Sequence, residues 1–135
     1  MVKFNKESVS LLQKKLSKKF SHKIIVRDGE LLDSAIESVY QTFAGHDLYP
    51  TIEEKGARIG FNIINNHPFI DGNKRIGILA MLCFLEVNGV EMKYSSEDLI
   101  NIGLMVASGR ANYKQLLSWV NCHKITTKTQ SDYEK

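Results

Sequence analysis

Apolar residues recur at helical intervals along nearly the whole chain. Val9, Leu12, Leu16 and Phe20 return every three or four positions, which predicts a helix over about residues 6–20. Leu31, Leu32, Ala35, Ile36, Val39, Tyr40 and Phe43 form a second stripe, so a helix is expected from a cap at Asp28 to about residue 44. Thr51 and Glu54 make a capping box that opens a third helix, with Ile52, Ile59, Ile63 and Ile64 on its apolar side. Gly56 and Gly60 share one face of it, and each costs about 1 kcal/mol against alanine. Close approach of a neighbouring helix is the expected compensation. Asn65 and Asn66 suit the helix end, and Pro68 biases His67 away from helical backbone. The helix should therefore stop with the imidazole at the mouth of the next loop.

From Ile76 to Leu85 no side chain is polar. A helix apolar on every side is a buried one, so a segment from about 73 to 88, closed by Asn88-Gly89, should be the central rod. Ser95 and Asp98 open a further helix with Leu99, Ile102, Val106 and Ala107 facing inward, and Gly109 breaks it. A last helix over about 111–123 buries Tyr113, Leu116, Leu117 and Val120, with Trp119 nearby. Residues 22–28 form a connector, extended at Ile24-Ile25-Val26, Val90 to Tyr94 a short extended segment, and Gly45 to Pro50 a loop. The pattern predicts an all-α fold, a compact six-helix bundle.

Composition narrows this little. A chain of 135 residues buries a proper core in one domain, expected over 1–125 with a polar, disordered tail over 126–135. A net charge of +3 is mild. Lys14, Lys15, Lys18 and Lys19 lie on one side of the first helix. Without interleaved aromatic residues they read as a solvated face, and no direct contact with nucleic acid is expected. Only Cys83 and Cys122 are present, so there is neither a disulfide framework nor zinc spacing, and a reducing cytoplasm is the expected compartment. No apolar leader and no 18-residue apolar run is seen, so no membrane association is expected. His22, His46 and His123 are scattered and are given no metal role.

The chemistry concentrates in His67-Pro68-Phe69-Ile70-Asp71-Gly72-Asn73-Lys74-Arg75. A polar loop here runs straight into the N-terminus of the core helix. Helix N-termini carry free N–H groups and partial positive charge, and they bind phosphates. Gly72 lets backbone approach a ligand. Lys74 and Arg75 sit in a first turn that the helix dipole disfavours for cations unless an anion joins them. Asp71 is a candidate ligand for Mg²⁺, or alternatively the cap of the following helix. Asn73 either orients the loop or donates to a phosphate. His67 is the candidate to take a proton from an attacking hydroxyl. Phe69 is expected to plug into the core and anchor the loop. Together these are the parts of a phosphoryl or nucleotidyl transfer site.

This nine-residue stretch resembles the signature of the Fic/Doc superfamily, in the form of its Doc (death-on-curing) branch. Ordinary Fic proteins have a glycine at the position of Lys74 and a second arginine three residues beyond Arg75, where this chain has Ile78. Arg27-Asp28-Gly29-Glu30-Leu31-Leu32-Asp33-Ser34-Ala35 is similar to the segment before the second helix of Doc-like proteins. Thr42-Phe43-Ala44-Gly45 and Leu48-Tyr49-Pro50 are similar to the loop that borders the Fic active site. The resemblance implies a six-helix Fic/Doc bundle and a toxin of a type II toxin-antitoxin system. It implies use of ATP and Mg²⁺, with transfer of the γ-phosphate to Ser or Thr of a target protein, elongation factor Tu in particular. His67 would be catalytic, Asp71 would hold the metal, and Gly72, Asn73, Lys74 and Arg75 would bind the phosphates. Phe43, Leu48 and Tyr49 would form a flap that docks the target, whereas chemistry alone favours packing them inward. No S/T-x-x-x-E-G/N inhibitory motif is seen, so a cognate antitoxin on a separate chain is the expected partner. The rival readings are AMP transfer by the ordinary Fic route, a non-catalytic helical interaction module and, more weakly, an RNA-cleaving toxin.

Overall fold

The apolar run from Ile76 forms the middle of a helix that other helices enclose. In the computed structural model, which describes residues 1–19 and 25–125, six α-helices are present among the described residues. These are α1 (Lys6–Lys19), α2 (Gly29–Glu37), α3 (Ile52–Asn66), α4 (Asn73–Val87), α5 (Ser96–Ala107) and α6 (Tyr113–His123). The readings placed on Phe20, His22, Ile24 and residues 126–135 lie outside the described residues. No helix of the described part is long and apolar enough to cross a membrane.

α4 presents two apolar faces. Ile76, Ala80 and Phe84, four apart, join α1, α2 and α3 in one cluster. Ile78, Met81, Leu82 and Leu85 join α3, α5 and α6 in the other. α3 and α4 therefore run through the centre, and the two clusters meet across them. Their approach is set by small residues. A Cβ on Gly77 would lie 3.0 Å from the Gly60 carbonyl oxygen, and one on Gly56 would lie 2.8 Å from Leu85 Cδ2. The close approach expected from Gly56 and Gly60 is present, with Gly77 as its counterpart on α4.

Helix starts follow local chemistry. Thr51, Ser95 and Asn112 each close a capping box on α3, α5 and α6, and Asp28 accepts from the Glu30 and Leu31 N–H groups at α2. Outside the helices, Lys93 N–H donates to the His123 carbonyl and Ile125 N–H to the Glu91 carbonyl, so the extended segment after Gly89 fastens the end of α6.

One departure from the helical pattern concerns α2. It ends at Glu37, well before residue 44, and passes through a 3-10 turn (Ser38–Tyr40) into a two-stranded hairpin, β1 (Thr42–Phe43) and β2 (His46–Asp47). Ala44 (φ 52°) and Gly45 (φ 81°) make the two-residue turn, both left-handed as a type I′ hairpin demands. Phe43 thus leaves the apolar stripe and stands 75% exposed. The hairpin is tied to α3 by Lys55, the one buried charged side chain among the described residues. Its ammonium donates to Asp47 Oδ2 at 3.2 Å and to the Tyr49 carbonyl.

Lys124, just beyond α6, donates to Glu53 in the first turn of α3 at 2.8 Å. Burial pushes the Glu53 carboxyl up, but the Lys124 ammonium and the residue's own N–H outweigh it and hold the carboxyl below its ordinary value. A depressed carboxyl contributes stability above its unfolded pKa and loses it as pH falls through the folded one. Glu53→Gln is therefore expected to lower Tm at neutral pH, by the equivalent of at most about 1 kcal/mol for a partly exposed pair. Once the pH falls below the lowered folded pKa, so that Glu53 is protonated in the folded and the unfolded chain alike, variant and parent should melt together. Thermal denaturation at the two pH values checks this; an equal loss at both would remove the ion pair as the cause.

Candidate active site

The loop between α3 and α4 is six residues long, and each end is shaped by a left-handed residue. His67 (φ 50°, ψ 54°) ends α3, its N–H bonded to the Ile63 carbonyl at 3.3 Å. The helix stops where Pro68 requires, though the backbone turns left-handed rather than extended. Gly72 (φ 83°) is the N-cap of α4. Asp71 is therefore not the cap of this helix. The left-handed turn at Gly72 moves Asp71 one residue upstream, and its Oδ1 accepts the Gly72 N–H at 2.8 Å instead. Gly72 offers no side chain to cap α4, unlike the cap residues of α2, α3, α5 and α6.

Between these ends the loop is pinned from inside. Phe69 is fully buried among α1, α2, α3 and α4, an anchor worth roughly 2–3 kcal/mol. Asn73 clasps it: Oδ1 accepts the Phe69 N–H and Nδ2 donates to the Phe69 carbonyl, each at 2.9 Å. Both amide atoms of Asn73 are thus engaged in orienting the loop.

The loop is also pinned from outside, by the segment before α2. Ile70 N–H donates to the Ile25 carbonyl at 2.9 Å, and the Arg27 and Asp28 N–H groups donate to the Pro68 carbonyl at 2.7 and 3.0 Å. The Arg27 guanidinium reaches the last carbonyls of α3. Nε donates to the His67 carbonyl at 2.9 Å, and Nη2 donates to the carbonyls of His67 (2.5 Å) and Asn66 (3.3 Å).

His67, Asp71, Gly72, Asn73, Lys74 and Arg75 line one open pocket of about 490 Å³, closed by Ile64, Ile70 and Ala107. Lys74 crosses to α5, where Gly103 makes room for it; a Cβ there would lie 3.2 Å from Lys74 Cγ. The hairpin contributes none of this lining. Its residues divide: Phe43 and Leu48 are exposed, while Tyr49 packs edge-on against Tyr113 at 5.7 Å and lies beneath Arg58. Arg27 was named in the sequence only within a family-like segment and Gly103 not at all, because both reach the site only through tertiary contacts.

Chemically, an imidazole, a carboxylate, two cations and an uncapped helix start share one solvent-open pocket. Among the described residues no cluster of three or more metal-binding side chains occurs. The pocket's single carboxylate nonetheless suits Mg²⁺, which is commonly held by one or two carboxylates together with substrate phosphates.

An all-α domain that opens such a pocket between its two central helices has the architecture of a Fic-type domain. The family model described as "Fic/DOC family" matches residues 3–85, more than half of the chain, and the chain belongs to this family. Within it the likeness is to the Doc branch. The chain is 37% identical over 87 residues to "Toxin Doc" of Mycolicibacterium smegmatis (strain ATCC 700084 / mc(2)155), a match covering 61% of this chain and 67% of that protein.

Proposed function

We propose that this protein is a Doc-type toxin that phosphorylates a Ser or Thr hydroxyl of a target protein at the expense of ATP. The observation that carries the choice of phosphate over AMP is the pairing of Lys74 with Ile78. Lys74 lies in the first turn of α4 with its stem seated at Gly103, at the rim of the pocket. Ile78, where ordinary Fic proteins resemble one another in having a second arginine, is a buried apolar contact against α5. A guanidinium there would need to displace that contact.

In this reading Asp71 would hold Mg²⁺, whose charge would offset that of the phosphate oxygens. The α4 N–H groups, Lys74 and Arg75 cradle the phosphates, and Asn73 and Phe69 keep the loop in shape. His67 takes the proton of the target hydroxyl as its oxygen bonds to the γ-phosphorus. The bond from that phosphorus to the bridging β,γ-oxygen breaks, and ADP leaves. Phe43 and Leu48 on the hairpin offer an exposed apolar edge to the target backbone, with Tyr49 as its anchor. The target is a translation factor, elongation factor Tu by resemblance. Residues 1–125 form a single Fic/Doc-type domain, the protein works in the cytoplasm, and a separately encoded antitoxin restrains it.

The test is incubation with candidate targets, Mg²⁺ and ATP labelled at either the γ- or the α-phosphate. Label from the γ-position alone on Ser or Thr is expected, and Lys74→Ala should reduce it by about 10²-fold through lost stabilisation of the transferring group. Label from the α-position would establish the AMP-transferring alternative. Absence of label from either, with no nucleotide-dependent thermal shift, would favour an interaction module.

A further inference from the structure

The residue that fixes His67 lies forty positions upstream of it. A non-glycine residue in left-handed backbone costs on the order of 1 kcal/mol or more, and it persists only where the surroundings over-determine it. Phe69 and Asn73 secure the loop two residues further on, yet neither bonds to His67. What bears on His67 itself is the Ile63 carbonyl on its N–H and the Arg27 guanidinium on its own carbonyl.

Arginine suits this task in a way lysine does not. Its planar fork places Nε and Nη2 side by side on the His67 carbonyl, and Nη2 extends to Asn66. Two donors on one oxygen and a third contact on the preceding carbonyl fix the tilt of the peptide plane that follows His67. The cation also sits on the negative end of α3. The main chain of Arg27 and Asp28 grips the Pro68 carbonyl in the same stretch, so the guanidinium is held relative to the loop it orients. Among the described residues, every bond to His67 is made by its main chain.

We propose that Arg27 is a positioning residue: by fixing the left-handed His67 backbone it sets the direction in which the imidazole enters the pocket. Its effect on transfer rests on the reading of His67 as the base; its effect on the geometry of His67 does not.

The experiment uses the full chain with 13C-labelled histidine, its signals assigned by substitution, in parent, Arg27→Ala and Arg27→Lys forms. Ring and Cα signals, Tm and transfer kinetics are measured on each. In Arg27→Ala the His67 signals should shift and broaden while those of His46 and His123 stay in place. The kcat should fall about 10²-fold with KM within about twofold, the signature of a displaced base rather than lost binding. Arg27→Lys restores the charge without the fork, so it should recover only part of the signal position and stay about tenfold slow. Unmoved His67 signals in Arg27→Ala overturn the proposal whatever the activity does. Full recovery of signals and kcat by lysine also overturns it, since charge alone would then suffice. If alanine prevents folding, Arg27→Gln and Arg27→Lys carry the same comparison. A parent chain that transfers nothing would sink the reading of the base and leave the histidine signals to decide on Arg27.

Discussion

His67→Ala is expected to abolish phosphoryl transfer while leaving the six helices intact. The two halves of this result have separate causes. The side chain is exposed at the rim of the pocket, and every described bond that holds residue 67 in place is made by its N–H or its carbonyl. Removing the imidazole leaves those bonds in place, and exposed substitutions of this kind usually change stability by no more than about 0.5 kcal/mol. For a chain of this size that is about 2 °C in Tm. The rate responds differently, because in the proposed reaction the hydroxyl of a target Ser or Thr must lose its proton as it attacks. A positioned general base contributes about 10²–10⁴-fold, so the initial rate of γ-label transfer should fall by that range. His67→Asn is the sharper control. Asparagine tolerates left-handed backbone better than alanine does, so this variant should match the parent in Tm and be equally inactive. An alanine variant of full activity would take histidine out of the mechanism.

Much of the site was legible in the sequence because of where the fold places it. His67 to Arg75 is a short link between two antiparallel neighbours, so residues close in sequence are close in space. The central helix was legible for a simple reason: a run apolar on every side has no face to offer to water. The glycine stripe on α3 signalled a close neighbour, though not which residue would face it. What stayed hidden was either distant in the chain or dependent on one backbone angle. Arg27 resembled part of a family segment, but its grip on the α3 carbonyls needs the 25–28 segment folded alongside 68–70. Gly103 reads as an ordinary small residue until Lys74 is seen lying across it. The hairpin was masked because the apolar spacing of α2 continues as far as Phe43, and Ala44-Gly45 is a weaker turn signal than Asn-Gly. Asp71 kept its place beside the helix start, but Gly72 took the cap because glycine alone turns left-handed without cost.

Gly77→Val is expected to destabilise the fold by about 3 kcal/mol, or some 10 °C in Tm, and to reduce transfer further than that loss explains. In a helix interior, replacing glycine normally helps, by up to about 1 kcal/mol for alanine and less for a β-branched residue. Here the space is already taken. A Cβ on Gly77 would meet Ile64 Cγ1 at 2.7 Å and the Gly60 carbonyl oxygen at 3.0 Å. The isoleucine can turn aside, but the carbonyl belongs to the backbone of α3 and moves only if the helix moves. Gly60 is in turn crowded from the other side, since its own Cβ would meet the Gly77 carbonyl oxygen at 3.2 Å. The two helices touch main chain to main chain at this point, so the branched side chain must wedge them apart. Because α3 delivers His67 and α4 begins at the pocket, a wedge between them widens the gap on which the proposed transfer would depend. Gly29→Ala supplies the control. Gly29 has ordinary backbone and nothing within 4 Å of the added atom, so that variant should be neutral or gain up to about 1 kcal/mol. Thermal melts of both variants, with transfer measured well below either Tm, separate the two effects. A Gly77→Val protein as stable as its parent would mean that α3 and α4 do not meet at these glycines, and the pocket they frame would lose its physical basis.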